Sequence, residues 1–315
     1  MDLSANSIQE RYIDRVKSEL KTDDLTRYDY IWDHQRISPF DLSPFKSVAT
    51  LMTGNEWKIG ASFDQNTFSN DSILAALNLG AQSLFFDTVH SYDWGKALKK
   101  VELSWLDIFI RGQEDSIQSF LQYCKSQKTK PDQFASFTES PTDSLNQSFS
   151  YHDTAVTLKL KWFMIIDQLK KSTHLQEDLH HIRILYEAGQ DLVLNISMVR
   201  AIRIIWLHVL KSFGLVATPV YIIGSVSPDI IEKNLYMIGT TVMMTSLVLS
   251  GLDTIVIKPF DHTMAVQGWH IKAQHIIKEE SLLKQTNDVL SGSFVIENLS
   301  LLIAKSVWEK IISDT

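Results

Sequence analysis

The chain has 315 residues, with 30 Lys plus Arg against 37 Asp plus Glu and a formal net charge of -7. That length allows one large domain or two modest ones, and the acidic balance argues against nucleic-acid binding, which needs a basic face to displace counterions. One cysteine, Cys124, excludes an intramolecular disulfide framework and a thiolate metal cage, and it points weakly to a reducing compartment.

The first residues, MDLSANSIQERYIDRVKSEL, lack the apolar core of a signal peptide. The longest apolar stretch, Leu235 to Leu249, is broken by Gly239, Thr240, Thr241, Thr245 and Ser246. It is too short and too polar to span a bilayer. The expectation is a cytoplasmic protein with no membrane and no nucleic-acid partner.

Residues 1–50 differ from the rest. Ser7–Leu20 carries Ile8, Tyr12, Ile13, Val16 and Leu20 near helical spacing. The segment YDYIWDHQRISPFDLSPF follows, aromatic-rich and punctuated by Pro39 and Pro44. Such a segment wraps a surface and cannot build a core. It reads as an N-terminal arm that covers either its own body or a partner subunit.

Residues 51–315 alternate short apolar runs with helical patterns. Strands are expected at 83–89, 104–110, 134–139, 148–151, 182–186, 219–225 and 253–259, the last two almost continuously apolar, as strands covered on both faces must be. Helices are expected at 115–126, 156–171, 192–213, 228–250 and 268–286, with Ser227–Pro228 as a cap and first-turn proline. An eighth strand lies at 57–63 or within 140–147. Strand–helix alternation means a parallel sheet with helices outside. No GxGxxG or GxxxxGKS loop follows any strand, so the α/β class is read as a (β/α)8 TIM-type barrel rather than an open nucleotide-binding sheet.

In a barrel the carboxyl ends of the strands carry the site. Tyr151-His152 follows one strand directly, and an imidazole there could hold a carbonyl oxygen or donate a proton, or be structural. Asp87 and His90 flank another strand end, without a nucleophile. Lys258 at the end of IVIKP is either a cation for an anionic ligand or a snorkelling side chain. His174, His180 and His181, near Glu177 and Asp178, lack a helical metal frame and read as surface loop residues. No G-x-S-x-G, CxxC or carboxylate pair is present.

Several segments in order resemble the substrate-binding barrel of the methylmalonyl-CoA mutase family, most closely its small (β) subunit. YEAGQDLVLNISMVRAIRIIW (186–206) resembles the family helix ending R-A-x-R-x-x-W, with Arg200, Ala201, Arg203 and Trp206 in register. SLVLSGLDTIVIKPFD (246–261), HIIKEES (275–281) and DVLSGSFVIENLS (288–300) resemble the segments that follow, the last with Gly292, Ser293 and Glu297. EWKIGASFD (56–64), LNLGAQSLFFDT (77–88) and FSYHDTA (149–155) extend the likeness upstream.

The resemblance implies a barrel from a family that converts methylmalonyl-CoA to succinyl-CoA through an adenosylcobalamin radical. It also implies a cobalamin domain that these residues do not provide, either because it is absent or because the chain was cut before it. The family's D-x-H-x-x-G cobalt motif has no counterpart, since the nearest string, Asp178 to Arg183, has Arg in place of Gly. The first strand's arginine and tyrosine align with Gly60 and Ser62, a later R-x-H-S with Ile222 to Ser225, and a histidine and polar residue with Val256 and Lys258. Tyr151 and His152 remain as degenerate catalytic candidates. Ser225, Lys258 and Ser62 remain as candidate substrate-binding residues, with no metal or cofactor ligand.

The implied role is a non-catalytic barrel paired with a catalytic large mutase subunit, or a homodimer, with adenosylcobalamin in the assembled enzyme. The alternative is an active acyl-CoA mutase barrel that takes a CoA ester and works with a separate cobalamin chain. A barrel lyase or isomerase unrelated to cobalamin would need a metal or carboxylate pair at the strand ends.

Overall fold

A computed structural model describes residues 5–40, 56–64, 67–88, 92–138, 146–173, 175–227, 231–232, 235–260, 268–285 and 288–313. Helix α1 (Ala5–Leu20) precedes a small antiparallel hairpin of β1 (Tyr30–Trp32) and β2 (Gln35–Ile37). Asp33 and His34 turn it with positive φ of 48° and 67°, as the tightest hairpins require. Trp32 and Ile37 are buried in the same core cluster as Trp206 and Ile303 of the body. This part of the arm therefore covers its own chain.

The body is an eight-stranded, all-parallel sheet. Its strands are β3 (Lys58–Phe63), β4 (Ser83–Thr88), β5 (Asp107–Gly112), β6 (Gln133–Phe137), β7 (Gln147–Ser150), β8 (Arg183–Glu187), β9 (Tyr221–Val226) and β10 (Thr254–Ile257). Their order is β6-β5-β4-β3-β10-β9-β8-β7. The first strand of the body pairs with the last, Gly60 opposite Val256, which rolls the sheet into a TIM-type barrel and excludes the doubly wound alternative. The eighth strand is Lys58–Phe63; the 140–147 alternative lies mostly outside the described residues.

Among the described residues no β6–β7 ladder is formed. The seam there is bridged by side chains at its base. Asn146 Nδ2 donates to the Ser136 carbonyl at 3.3 Å while its Oδ1 accepts from the Arg183 N–H at 2.7 Å. Arg183 also donates to Gln133 Oε1. The connection, residues 138–146, is shorter than the dozen or so that a helical crossover requires.

The outer layer comprises α2 (Asn70–Asn78), α3 (Trp94–Ala97), α4 (Glu114–Gln127), α5 (Ala155–Lys171), α6 (Leu175–Leu179), α7 (Leu192–Ser212), α8 (Tyr236–Leu249), α9 (Trp269–Glu280) and α10 (Phe294–Ser313). Caps start several of them. Ser69 and Ser72 form a reciprocal capping box on α2, and Thr154 and Asp191 cap α5 and α7. The helix expected from Pro228 is found from Tyr236; residues 228–230 lie outside the described set. The strand expected from Ser104 starts at Asp107, after a 3-10 turn over Leu103–Trp105.

Helix α7 is long and apolar enough to cross a membrane, but it is a core helix, packed against α8 and α10 with Val199, Ile202, Ile205 and Trp206 buried. The residues shared with the family motif hold it in place. Arg200 reaches Glu297 of α10 at 2.6 Å and Asp288 at 2.8 Å. Arg203 donates to the Gly251 and Val220 carbonyls, and Trp206 Nε1 to the Thr218 carbonyl. These bonds tie the helix to the loops that precede β9 and β10.

Candidate functional site

Strand side chains alternate between helix-facing and axis-facing positions. Ile59, Ala61 and Phe63 of β3 pack with the outer helices, which leaves Lys58, Gly60 and Ser62 on the axis. The same alternation sorts every strand, and the barrel interior resolves into three layers.

The bottom layer is polar. Asp107 is fully buried and accepts from Lys58 Nζ at 2.8 Å and from the Tyr221 hydroxyl at 2.7 Å. Tyr221 also meets Thr254 Oγ1 at 2.6 Å, and the Arg183 guanidinium lies over its ring. Burial raises the Asp107 carboxyl above its ordinary value despite the Lys58 and Tyr221 hydrogen bonds.

The middle layer is apolar and filled. Phe85, Phe109, Ala135, Leu185, Ile223 and Val256 form one cluster, with Phe137. Gly60 belongs to this layer, where a Cβ would stand 2.7 Å from both Val256 Cγ2 and the Ile255 carbonyl. The missing side chain makes room for valine, as close packing of the axis demands.

The top layer, at the carboxyl ends, is ionic. Arg111 of β5 donates Nε to Asp87 Oδ1 of β4 at 3.0 Å and Nη2 to Asp87 Oδ2. Its Nη1 crosses the mouth to Glu187 Oε1 on β8. Lys258, after β10, donates to Asp87 Oδ2 at 2.8 Å. Burial alone would raise the Asp87 carboxyl, but the Arg111 hydrogen bonds and the charges of Lys258 and Arg111 outweigh it and hold it below its ordinary value. Two cations and two carboxylates thus neutralise one another directly above the apolar plug.

The expected site residues meet this layer unequally. Lys258 belongs to it, its ammonium paired with Asp87. Ser62 and Ser225 are buried axis-facing positions. Tyr151 follows β7, half-buried, with its N–H on the Glu187 carbonyl at 3.2 Å and its ring against the Gly189 backbone. Burial and the nearby Glu187 charge raise its phenol. His152 is exposed and tilts against the Tyr151 ring at 3.7 Å between centroids. Asp87 pairs with Arg111 and Lys258; His90 lies outside the described residues.

Arg111 and Glu187, which meet across the mouth, are not singled out by the sequence reading. Their signal was the alternation itself: Asp107-Phe109-Arg111 and Arg183-Leu185-Glu187 place a charge at the third axis-facing position of two strands. Among the described residues no group of three metal-ligating side chains occurs. The Asp178–Arg183 string runs from the end of α6 through a turn to the first residue of β8; His180 and His181 are exposed there and Arg183 Nη1 binds the His180 carbonyl at 2.7 Å. His174 and the side chain of Glu177 lie outside the described set.

The methylmalonyl-CoA mutase family model matches residues 148–313, more than half of the chain. The methylmalonyl-CoA mutase small subunit of Streptomyces virginiae is 27% identical over an alignment of 133 positions, which covers 39% of this chain and 22% of that relative. The chain thus aligns with about a fifth of the relative's length. Among solved structures, Yersinia pestis dihydropteroate synthase shares 10% identity at a TM-score of 0.37, covering 81% of this chain and 98% of that one. The same enzyme with a sulfonamide drug shares 11% at 0.35, covering 78% and 98%.

Proposed function

The chain belongs to the methylmalonyl-CoA mutase family, and from that premise we propose that it is a non-catalytic barrel of the small-subunit type, supporting a catalytic large mutase subunit in a cytoplasmic heterodimer. One observation carries the reading: the Arg111–Asp87–Glu187–Lys258 cluster lies across the barrel mouth above a filled axis. An acyl-CoA that entered along the axis would have to break those ion pairs and displace Phe85 and Phe109. Positions where the resemblance implies an arginine and a tyrosine carry Gly60 and Ser62.

The family's reaction runs on adenosylcobalamin. The residues of this chain that come nearest to a cobalt motif do not fit it, because Arg183 stands where the tight approach needs Gly and its guanidinium is bonded to the turn. No step of the isomerisation is assigned to this chain; the cobalamin is assigned to the assembled enzyme.

The outer face of α8 supports a partner subunit. Met237, Ile238 and Val242 are exposed there, and the face carries no charge. Thr241 and Thr245 return their hydroxyls to the carbonyls four residues back, at 2.7 and 2.8 Å, and so present methyl groups. A helix apolar on its outer side as well as its inner side is built to be covered.

The test is co-expression with the large mutase subunit from the same source, with methylmalonyl-CoA isomerisation assayed for each chain and for the mixture. The expected result is a tight complex whose turnover is abolished by mutating the large subunit's active site and unaffected by Tyr151→Phe or His152→Ala. The rival, an active barrel working with a separate cobalamin chain, draws on Tyr151 at the mouth. Loss of turnover on Tyr151→Phe with the complex intact would establish it instead.

A further inference from the structure

A cleft of about 730 Å³ opens on the outer wall of the barrel beside the β6–β7 seam, well within the size range of small-molecule sites. Its floor is apolar, formed by Phe120, Leu121 and Cys124 of α4 and Phe134 of β6. Lys125, Lys128 and Lys130 rise from the end of α4 and the following loop.

None of the three lysines has a hydrogen-bond or ion-pair partner among the described residues. The acid in the wall, Asp132, is held by Lys58 at 3.0 Å. The negative end of α4 is quenched as well: Lys128 takes a left-handed conformation, φ 55°, and its N–H and that of Thr129 cap the Cys124 and Lys125 carbonyls. Among the described lining residues three ammonium groups thus face one carboxylate, on a chain whose net charge is -7. Apolar floor and cationic rim are separated along α4.

We propose that this cleft binds an anionic amphiphile, its apolar body against Phe120, Leu121 and Phe134 and its phosphate or carboxylate head held by Lys125, Lys128 and Lys130. The site lies outside the barrel axis and does not depend on whether the barrel turns over substrate.

The chain's single cysteine stands in the wall of the cleft, so the native protein carries its own reporter. The probe is dodecyl phosphate below its micellar concentration, followed by calorimetry and by the rate of Cys124 alkylation with iodoacetamide. The expected result is one saturable site whose occupancy slows alkylation about tenfold, with dodecyltrimethylammonium, the same tail on a cationic head, failing to protect. The triple variant Lys125→Glu, Lys128→Glu, Lys130→Glu changes exposed side chains, and its unchanged melting temperature would show that it folds. It is expected to weaken binding at least tenfold, about 1.4 kcal/mol. The proposal is overturned by equal binding of the ammonium analogue, by unchanged affinity in the triple variant, by binding that leaves Cys124 unprotected, or by equal protection with inorganic phosphate alone.

Discussion

Arg111 on β5 and Glu187 on β8 are hydrogen-bonded to each other across the mouth of the barrel, although their strands are not neighbours in the sheet. The contact spans the barrel axis and is anchored on one side by the two-point grip of Arg111 on Asp87. Bidentate pairing of this kind gives geometric specificity as well as attraction.

Arg111→Met is expected to destabilise the protein by about 1–2 kcal/mol, a modest figure because the cluster is partly solvated. A double-mutant cycle with Glu187→Gln, read by urea unfolding, should give a coupling of about 1 kcal/mol that shrinks in high salt. Asp87 has a depressed carboxyl value in the folded state. Its contribution is present above the ordinary aspartate value and is lost as pH falls through the lower folded value. An unchanged acid limb in Asp87→Asn would contradict this.

The Arg200–Glu297 pair lies at the opposite extreme of burial, 2% and 1% exposed. Removing one partner strands the other charge in the core. Glu297→Gln or Arg200→Met should each cost about 3–5 kcal/mol, and the double replacement Arg200→Met, Glu297→Leu should recover most of that loss. Chemical denaturation of the three variants decides the point, since additive losses would show that the two residues act separately.

Acid sensitivity has a second source in α9. Burial lowers His270 from 6.5 to about 4. Between those values the unfolded chain binds a proton that the folded chain does not, so stability falls as pH drops from 6.5 toward 4. The loss is on the order of 3 kcal/mol across the window. His270→Gln should flatten the unfolding free energy over that range, and a slope as steep as the parent's would assign the protonation elsewhere.

The outer face of α8 yields a prediction about assembly. Ile238→Glu with Val242→Glu places charges on a face exposed in the monomer, so the isolated chain should keep its melting temperature. Co-purification with the large subunit should be lost, as when central interface residues worth about 2 kcal/mol or more are removed. Retention of the complex would move the interface to another surface.

The barrel was legible because its strands are buried on both faces. Continuous runs such as Tyr221–Val226 and Thr254–Ile257 announce themselves, and each expected strand was found within about three residues, near the usual uncertainty of boundaries. The hairpin at Tyr30–Ile37 was missed because two three-residue strands carry no period. The mouth was harder to read. Arg111, Asp87, Glu187 and Lys258 come from strands far apart in sequence, and nothing in a one-dimensional pattern says that charges ending four strands converge. In sequence Lys258 reads as a lone cation because its partner lies 171 residues away.

The β6–β7 seam makes the eight strands a rolled ribbon with two ends, fastened by a clasp of Asn146, Arg183 and Gln133. A hoop resists radial swelling because each strand is gripped on both sides; a ribbon resists only as far as its clasp holds. Amide deuterium uptake should therefore be fastest in β6 and β7 and slowest in β3 and β10, diametrically opposite, and Asn146→Ala should widen that difference. New chain termini placed at the seam would interrupt no ladder of the described strands, which makes it the natural point at which to permute the barrel.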